Sequence, residues 1–252
     1  MVRKRPETRR HGETDVIELF FCTSPNVYKV AIALEEMALP YTLRSVDLST
    51  GAHFDPANLA GATTAKLPVI RDDEPEDGGE PVVVFESGAI LQYLAEKSGK
   101  LMPADPRGRR EVMQWLFWQM GGLGPIGGQL WHFMTFAPKI APDFDNSYAL
   151  NRYTNMWAAL WAVMDKQLAD RPYLAGDYSI VDCACFPWIS YIDPKEGPDH
   201  YPNVKRWRDE LAQRPAVREA YAKGMALDTG YGRIALPVGR AAPARHRHLR
   251  PD

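Results

Sequence analysis

Apolar and polar positions follow two different periods along the chain, and the change from one to the other divides it. Val16 to Phe21 is a nearly unbroken apolar run, the pattern of a buried strand, and Ser24-Pro25-Asn26 punctuates it. Val27, Val30, Ala31 and Leu34 then share one face of a predicted helix, Glu35 and Glu36 lie largely off that face, and Leu39-Pro40 stops it. Tyr41 to Leu48 reads as a second strand. After a short ambiguous segment to Ala60, Leu67-Pro68-Val69-Ile70 and Pro81 to Phe85 flank a turn-rich loop and predict a hairpin. Ile90, Leu91 and Leu94 mark a further amphipathic helix, which closes a βαβ-then-ββα unit over residues 16–100.

Near Pro103 the strand signal ends. Trp115, Leu116 and Trp118 open a long helical stretch that Gly121-Gly122 and Gly124-Pro125 must bend, and a second helix is expected over Ala149 to Ala169. Ser179 followed by Asp182 has capping-box spacing ahead of the buried-looking Ala184-Cys185-Phe186. The expected organisation is an N-terminal extension (1–15), an α+β domain (16–100), an all-helical domain (105–228) and an irregular basic tail (229–252), with no internal repeat.

Composition narrows the function classes. The 252 residues are 45% hydrophobic, enough for two modest cores of ordinary domain size. Thirty basic and thirty-two acidic residues leave a formal net charge of −2, so no global field draws the chain to nucleic acid or an anionic membrane. Cys22, Cys183 and Cys185 form neither CxxC nor a paired metal-ligand pattern, which argues against a disulfide or zinc framework and for a reducing compartment. No apolar run nears about 18 residues and the first residues lack a signal-peptide core, so the expected location is cytoplasmic.

Several residues carry both a structural and a chemical reading. Ser24-Pro25 is a good helix start by itself, since Ser caps and Pro suits the first position. The same hydroxyl, with Asn26 and the free amides of the first turn, can also stabilise an anion such as a thiolate. Glu86-Ser87 repeats the choice: a simple cap, or a carboxylate for a ligand ammonium beside a hydroxyl for a ligand carboxylate, which is how the α-amino-acid head of a γ-glutamyl group is read. Leu67-Pro68 either begins an edge strand or, if the bond is cis, offers the Leu67 backbone to an extended peptide. Cys22 is read as an inert strand-end thiol, with a catalytic thiolate as the alternative. Cys183 and Cys185 are core. His246 and His248 are at best an adventitious metal pair, and no metal cofactor is expected. The aromatic and Gly-rich stretch from Trp115 to Phe133 is helix–helix core or a ligand wall.

Taken together, Val16 to Lys29 (VIELFFCTSPNVYK), Lys66 to Ile70 (KLPVI), Asp77 to Lys97 (DGGEPVVVFESGAILQYLAEK), Gln114 to Phe133 (QWLFWQMGGLGPIGGQLWHF) and Tyr178 to Trp188 (YSIVDCACFPW) resemble the Nu-class glutathione transferases, the type that reduces disulfide bonds with glutathione. The resemblance spans nearly the whole chain. It implies a thioredoxin-like N-terminal domain, an all-helical C-terminal domain, a homodimer, and a glutathione site closed partly by the neighbouring subunit. It implies that Ser24, standing where the class usually has Thr, and Asn26 face the glutathione sulfur. Leu67 with cis Pro68 is implied to pair with the cysteinyl backbone, Glu86 and Ser87 to take the γ-glutamyl end, Lys66 to lie beside that strand, and Arg152 to approach from the helical domain. The chain departs from the pattern with Val27 for the usual Gly, His53 where a Gln commonly meets the glycyl end, and Gly61-Ala62-Thr63-Thr64 in place of Asn-Pro-Asn. The implied activity is thiol–disulfide exchange through bound glutathione, with conjugation of an electrophile or peroxide reduction open to the same sulfur. A non-catalytic glutathione carrier or regulatory module is the alternative from another class.

Overall fold

The computed structural model describes residues 16–227. The expected extension 1–15, the tail 229–252, and His246 and His248 within it lie outside the described residues. A four-stranded sheet is built from β1 (Ile17–Phe21), β2 (Tyr41–Ser45), β3 (Val69–Asp72) and β4 (Val82–Phe85), in the order β2-β1-β3-β4. β1 and β2 are parallel, joined through α1 (Pro25–Met37), whereas β3 runs antiparallel to both β1 and β4. α2 (Ser87–Ser98) follows β4 and packs on α1. This is a thioredoxin-like arrangement, and the apolar run of β1 has its cause in it. Leu19 and Phe21 face one core, while Phe20 joins Val46, Leu59 and Val69 in a smaller core on the opposite face of the sheet.

The second strand is shorter than its apolar pattern. After Ser45 the Asp47 carboxylate accepts from the Ser49 N–H at 2.8 Å and turns the chain into a 3₁₀ turn at Leu48–Thr50, a local side-chain bond that competes with the ladder. Asp72 closes β3 fully buried. Its carboxylate meets the Lys97 ammonium at 2.6 Å and accepts from the Tyr93 hydroxyl at 2.6 Å, tying β3 to α2.

The remaining described helices are α3 (Pro106–Trp118), α4 (Gly124–Trp131), α5 (Ala137–Ile140), α6 (Ser147–Gln167), α7 (Ile180–Ile189), α8 (Pro202–Leu211) and α9 (Pro215–Ala226). α3, α4 and α5 form one continuous helical path. The glycines do not break it; two π-helical turns, Gln119–Leu123 and His132–Phe136, absorb the irregularity. In the first, the Gly124 N–H reaches back to the Gln119 carbonyl. The capping box at α7 forms as the spacing predicts, with Ser179 Oγ accepting from Val181 N–H and the Asp182 carboxylate accepting from Ser179 N–H at 3.0 Å. Asp182 also accepts from the Trp207 indole at 2.9 Å, and full burial raises its carboxyl to about 6 despite those donors.

α1 is buried nearly all round, because α7 and α9 of the helical half cover the side that the sheet and α2 leave open. One core therefore runs through both halves. Gly224 permits the approach of α9: a Cβ there would lie 2.6 Å from the Tyr28 hydroxyl and from Phe21. Polar clamps seal the same junction. The Arg214 guanidinium donates to both oxygens of Glu36, at 2.6 and 2.8 Å, while its plane lies over the Tyr178 ring.

Candidate active site

A cleft of about 390 Å³ opens where the start of α1, the loop before β3 and the start of α2 face the first π-helical turn, α4 and Trp188 of α7. The volume falls in the range of about 300–1,000 Å³ usual for small-ligand sites. A second hollow, of about 520 Å³, lies by the β3–β4 loop between Glu76, Asp77, Glu80 and Glu96. Its four carboxylates disfavour an anionic ligand.

Six of the residues singled out in the sequence line the first cleft: Asn26, Lys66, Leu67, Pro68, Glu86 and Ser87. Leu67-Pro68 is cis, and Leu67 is half-buried at the cleft edge with its backbone preceding β3. Lys66 and Glu86 are exposed and Ser87 is buried. Glu86 holds a left-handed backbone (φ 69°) at the N-cap of α2, where no side chain caps the helix. The first amides of α2 therefore have no side-chain acceptor of their own.

The start of α1 differs. Ser24 is its N-cap, and its Oγ accepts from the Asn26 N–H at 3.2 Å. Ser24 is half-buried and does not line the cleft, yet its O–H keeps a proton to donate. Asn26 Oδ1 accepts from the Trp188 indole at 3.0 Å. Since an indole N–H only donates, that bond orients the amide and turns its NH₂ group away from Trp188. His53 does not line the cleft; its ring packs on Phe54 with centroids 4.1 Å apart. Arg152 is exposed on α6 and does not line it either.

Among the other cleft residues, Lys29 and Trp188 have no site role in the sequence reading, whereas Gln119 and Met120 fall in the Trp115-to-Phe133 stretch read as core or ligand wall. Lys29 is 1% exposed, and its Nζ donates to Gln119 Oε1 at 2.8 Å and to Ser87 Oγ at 3.3 Å. Burial lowers its ammonium to about 7, with Cys185 and Glu86 pulling the other way. The available signal was a lysine set inside the apolar Val27-to-Leu34 segment, where a charge needs a buried partner. Gln119 and Met120 enter the cleft through the π-helical turn, which no periodicity announces.

The cysteines are free and buried. Burial pushes the Cys22 thiol up to about 12 and raises Cys183 and Cys185 as well, so none of them is a thiolate near neutrality. Cys22 does not line the cleft. Among the described residues no group of His, Cys, Asp and Glu could hold a metal ion, and no helix is long and apolar enough to cross a membrane.

Comparison with known proteins agrees with this geometry. Residues 19–102 match the glutathione S-transferase N-terminal domain and residues 147–210 the glutathione S-transferase C-terminal domain. The disulfide-bond oxidoreductase YfcG of Escherichia coli K12 is 43% identical over 215 residues, spanning 84% of this chain and 98% of that protein. The disulfide-bond oxidoreductase YghU of the same organism is 38% identical over 218 residues, spanning 80% of this chain and 73% of that protein. Among solved structures, a Burkholderia graminis glutathione transferase with two glutathione molecules bound per subunit superposes with a TM-score of 0.75 at 38% identity, covering 82% of this chain and 87% of that one. A Pseudomonas putida glutathione transferase with one glutathione disulfide bound per subunit gives 0.74 at 36% identity, covering 82% and 90%. With both halves of the fold matched in order, and the cleft lying between them, the chain belongs to the glutathione S-transferase family.

Proposed function

We propose that the protein is a Nu-class glutathione transferase that reduces disulfide bonds with the thiolate of bound glutathione and without a cysteine of its own. Asn26, the Leu67-Pro68 edge and the Glu86-Ser87 turn surround one cleft while all three protein thiols are buried and raised, and that combination carries the reading. Glutathione lies extended, its γ-glutamyl head at Glu86 and Ser87 and its cysteinyl backbone on Leu67, so that its sulfur points to the start of α1. Lys66 lies beside that strand, and His53 and Arg152 are the ligand's outer contacts from their two sides. Residues 16–100 form the glutathione-binding half in this reading and residues 105–228 the helical wall.

At the sulfur, the Ser24 hydroxyl, the Asn26 amide and the dipole of α1 favour the thiolate. A free thiol near pKa 8.5 is only a few per cent ionised at neutral pH, and lowering it by about 1.5 units takes roughly 2 kcal/mol. One charge-assisted hydrogen bond with a helix terminus supplies most of that, at roughly 1–2 kcal/mol combined. The thiolate attacks one sulfur of the disulfide substrate, forming a glutathione mixed disulfide and expelling the other sulfur as a thiolate. A second glutathione thiolate resolves the mixed disulfide, leaving oxidised glutathione and a second substrate thiol.

The named activities of YfcG and YghU and the glutathione ligands of the solved relatives support this assignment. A homodimer follows from the same class reading. Three free cysteines support a reducing, cytoplasmic setting. The test is a steady-state panel with glutathione against hydroxyethyl disulfide, a chloronitrobenzene and an organic peroxide. Disulfide reduction is expected to dominate. Binding of glutathione without turnover of any of the three would instead identify a carrier module.

A further inference from the structure

Trp188 reaches the cleft from the helical half with a ring that has little freedom to move. It stands near the C-terminal end of α7, 6% exposed, and edges the cleft. Gly124, Gly127 and Gly128, at i, i+3 and i+4, lay one side-chain-free face of α4 against the indole. A Cβ at Gly127 would meet the Trp188 ring at 2.7 Å, one at Gly128 would meet its far edge at 3.7 Å, and one at Gly124 would lie 3.7 Å from its Nε1. Trp157 closes on the same point of Gly127, at 3.0 Å, and its own indole is anchored by donating to the Ile192 carbonyl at 3.1 Å. Glycine weakens a helix relative to alanine, so the three positions give up helix stability for a flat seat.

The seated ring has one polar atom, and its direction is fixed with the ring. Its N–H donates across the junction of the two halves to Asn26 Oδ1 at 3.0 Å. An indole has no acceptor, so Asn26 can face it only with its carbonyl, and the amide NH₂ is left for the cleft that Asn26 lines. The main chain of Asn26 is held as well, its N–H donating to Ser24 Oγ at 3.2 Å. This orientation decides the sign of the interaction with an anion. With the NH₂ forward the amide donates to a thiolate; turned over, it sets carbonyl lone pairs against the same charge.

We propose that Trp188, seated in the glycine slot of α4, is the positioning residue for the sulfur end of the cleft: its indole N–H holds the Asn26 amide with the NH₂ toward the glutathione sulfur, so that the helical half governs the reactivity of a thiol bound by the sheet half. The assignment rests on the glutathione reading of the cleft and extends it to a residue that acts through another. The Leu67 edge and the Glu86-Ser87 turn are separate from this bond, so its loss should alter ionisation of the sulfur and not affinity. The titratable groups lining the cleft are Lys29, Lys66 and Glu86, and the Cys22 and Cys185 thiols buried nearby stay protonated. Burial brings Lys29 to about 7, inside the pH window of the test, but its bonds run to Gln119 and Ser87 and not to the indole, so its titration is common to wild type and variant.

The test is Trp188→Phe, which keeps an aromatic ring for the slot and removes the N–H. The thiolate absorbance of the glutathione complex is titrated beside the pH–rate profile with hydroxyethyl disulfide. The midpoint is expected to rise by roughly half to one unit. Turnover well below both midpoints should then fall about three- to tenfold and meet the wild-type rate at high pH, a convergence that a general packing defect would not give. KM for glutathione and calorimetric affinity for S-methylglutathione, which has no ionisable thiol, should stay within about twofold. In an Asn26→Ala background Trp188→Phe should add no further shift, because the residue it acts through is gone. An unchanged midpoint in Trp188→Phe, or a shift that adds to that of Asn26→Ala, overturns the proposal and leaves the glutathione reading standing. Absence of heat with both S-methylglutathione and reduced glutathione in the wild type overturns the two together. Should Trp188→Phe not fold, Asn26→Ala alone decides: loss of the bond should move a tryptophan indole proton resonance, and an unmoved set of indole protons overturns the proposal.

Discussion

The two helix starts that meet at the cleft are built differently. α1 is self-sufficient: Ser24 caps it, Asn26 is pinned to the Trp188 indole, and the turn would keep its shape with nothing bound. α2 is left open, with Glu86 in a left-handed conformation, no side-chain cap, and Ser87 held from behind by a buried lysine. A helix start that satisfies its own donors is a rigid platform suited to shaping the reactivity of an atom laid against it. One that leaves donors unspent is suited to holding a charged group. In the proposed reading, binding and chemistry separate along this line: affinity would belong mainly to α2, and the ionisation of the sulfur to α1.

Removing the ligand-facing charge at α2 breaks the comparison most severely. Glu86→Ala is expected to raise KM for glutathione by roughly 10–100-fold with a much smaller change in kcat, read from steady-state kinetics with hydroxyethyl disulfide. Disturbing the platform from behind has a smaller effect. A Cβ at Gly127 would lie 2.7 Å from the Trp188 ring and 3.0 Å from Trp157, so Gly127→Ala should displace Trp188 and release Asn26. Turnover should drop about tenfold while S-methylglutathione binding, measured by calorimetry, changes little.

Ser24→Ala separates the cap from the chemistry. Loss of a donor to the thiolate disfavours the charged form, so the thiol pKa rises and the acidic limb of the pH–rate profile moves up by roughly half to one unit. Thermal unfolding should record about 1 kcal/mol for the lost cap. The smallest effect is expected at Cys22, next to α1 in sequence but buried away from the cleft. Cys22→Ala should leave disulfide reduction nearly unchanged, and abolition of activity would assign the chemistry to a protein thiol.

The sheet half was legible in the sequence because its signals are local. Apolar runs, Ser24-Pro25, Leu67-Pro68 and Glu86-Ser87 each announce a strand, a helix start or a turn within a few residues, and six of the expected site residues line one cleft. The helical half was legible as helices, and as a ligand wall only in the alternative reading of Trp115 to Phe133. Whether the Gly-rich segment bends or continues depends on π-helical turns, and these turn Gln119 and Met120 into the site with no change in hydrophobic period. Lys29 lay hidden because burial on all sides of α1 comes from α7 and α9, distant in sequence, so its local pattern shows only one apolar face. Ser24, His53 and Arg152 show the reverse limit: a family position names a residue, but the side chain's distance from the cleft depends on the ligand and on any second subunit, neither of which is encoded locally.

In the proposed reading the cleft holds glutathione with its sulfur about half ionised at neutral pH, and no protein cysteine takes part. Titrating the ultraviolet absorbance of the thiolate in the glutathione complex, against protein alone and glutathione alone, measures this directly, since the buried protein thiols are silent near neutrality. The account predicts a saturable signal with a midpoint at about pH 7, roughly 1.5 units below the free thiol. A midpoint equal to that of free glutathione, or no saturable signal at all, would contradict it.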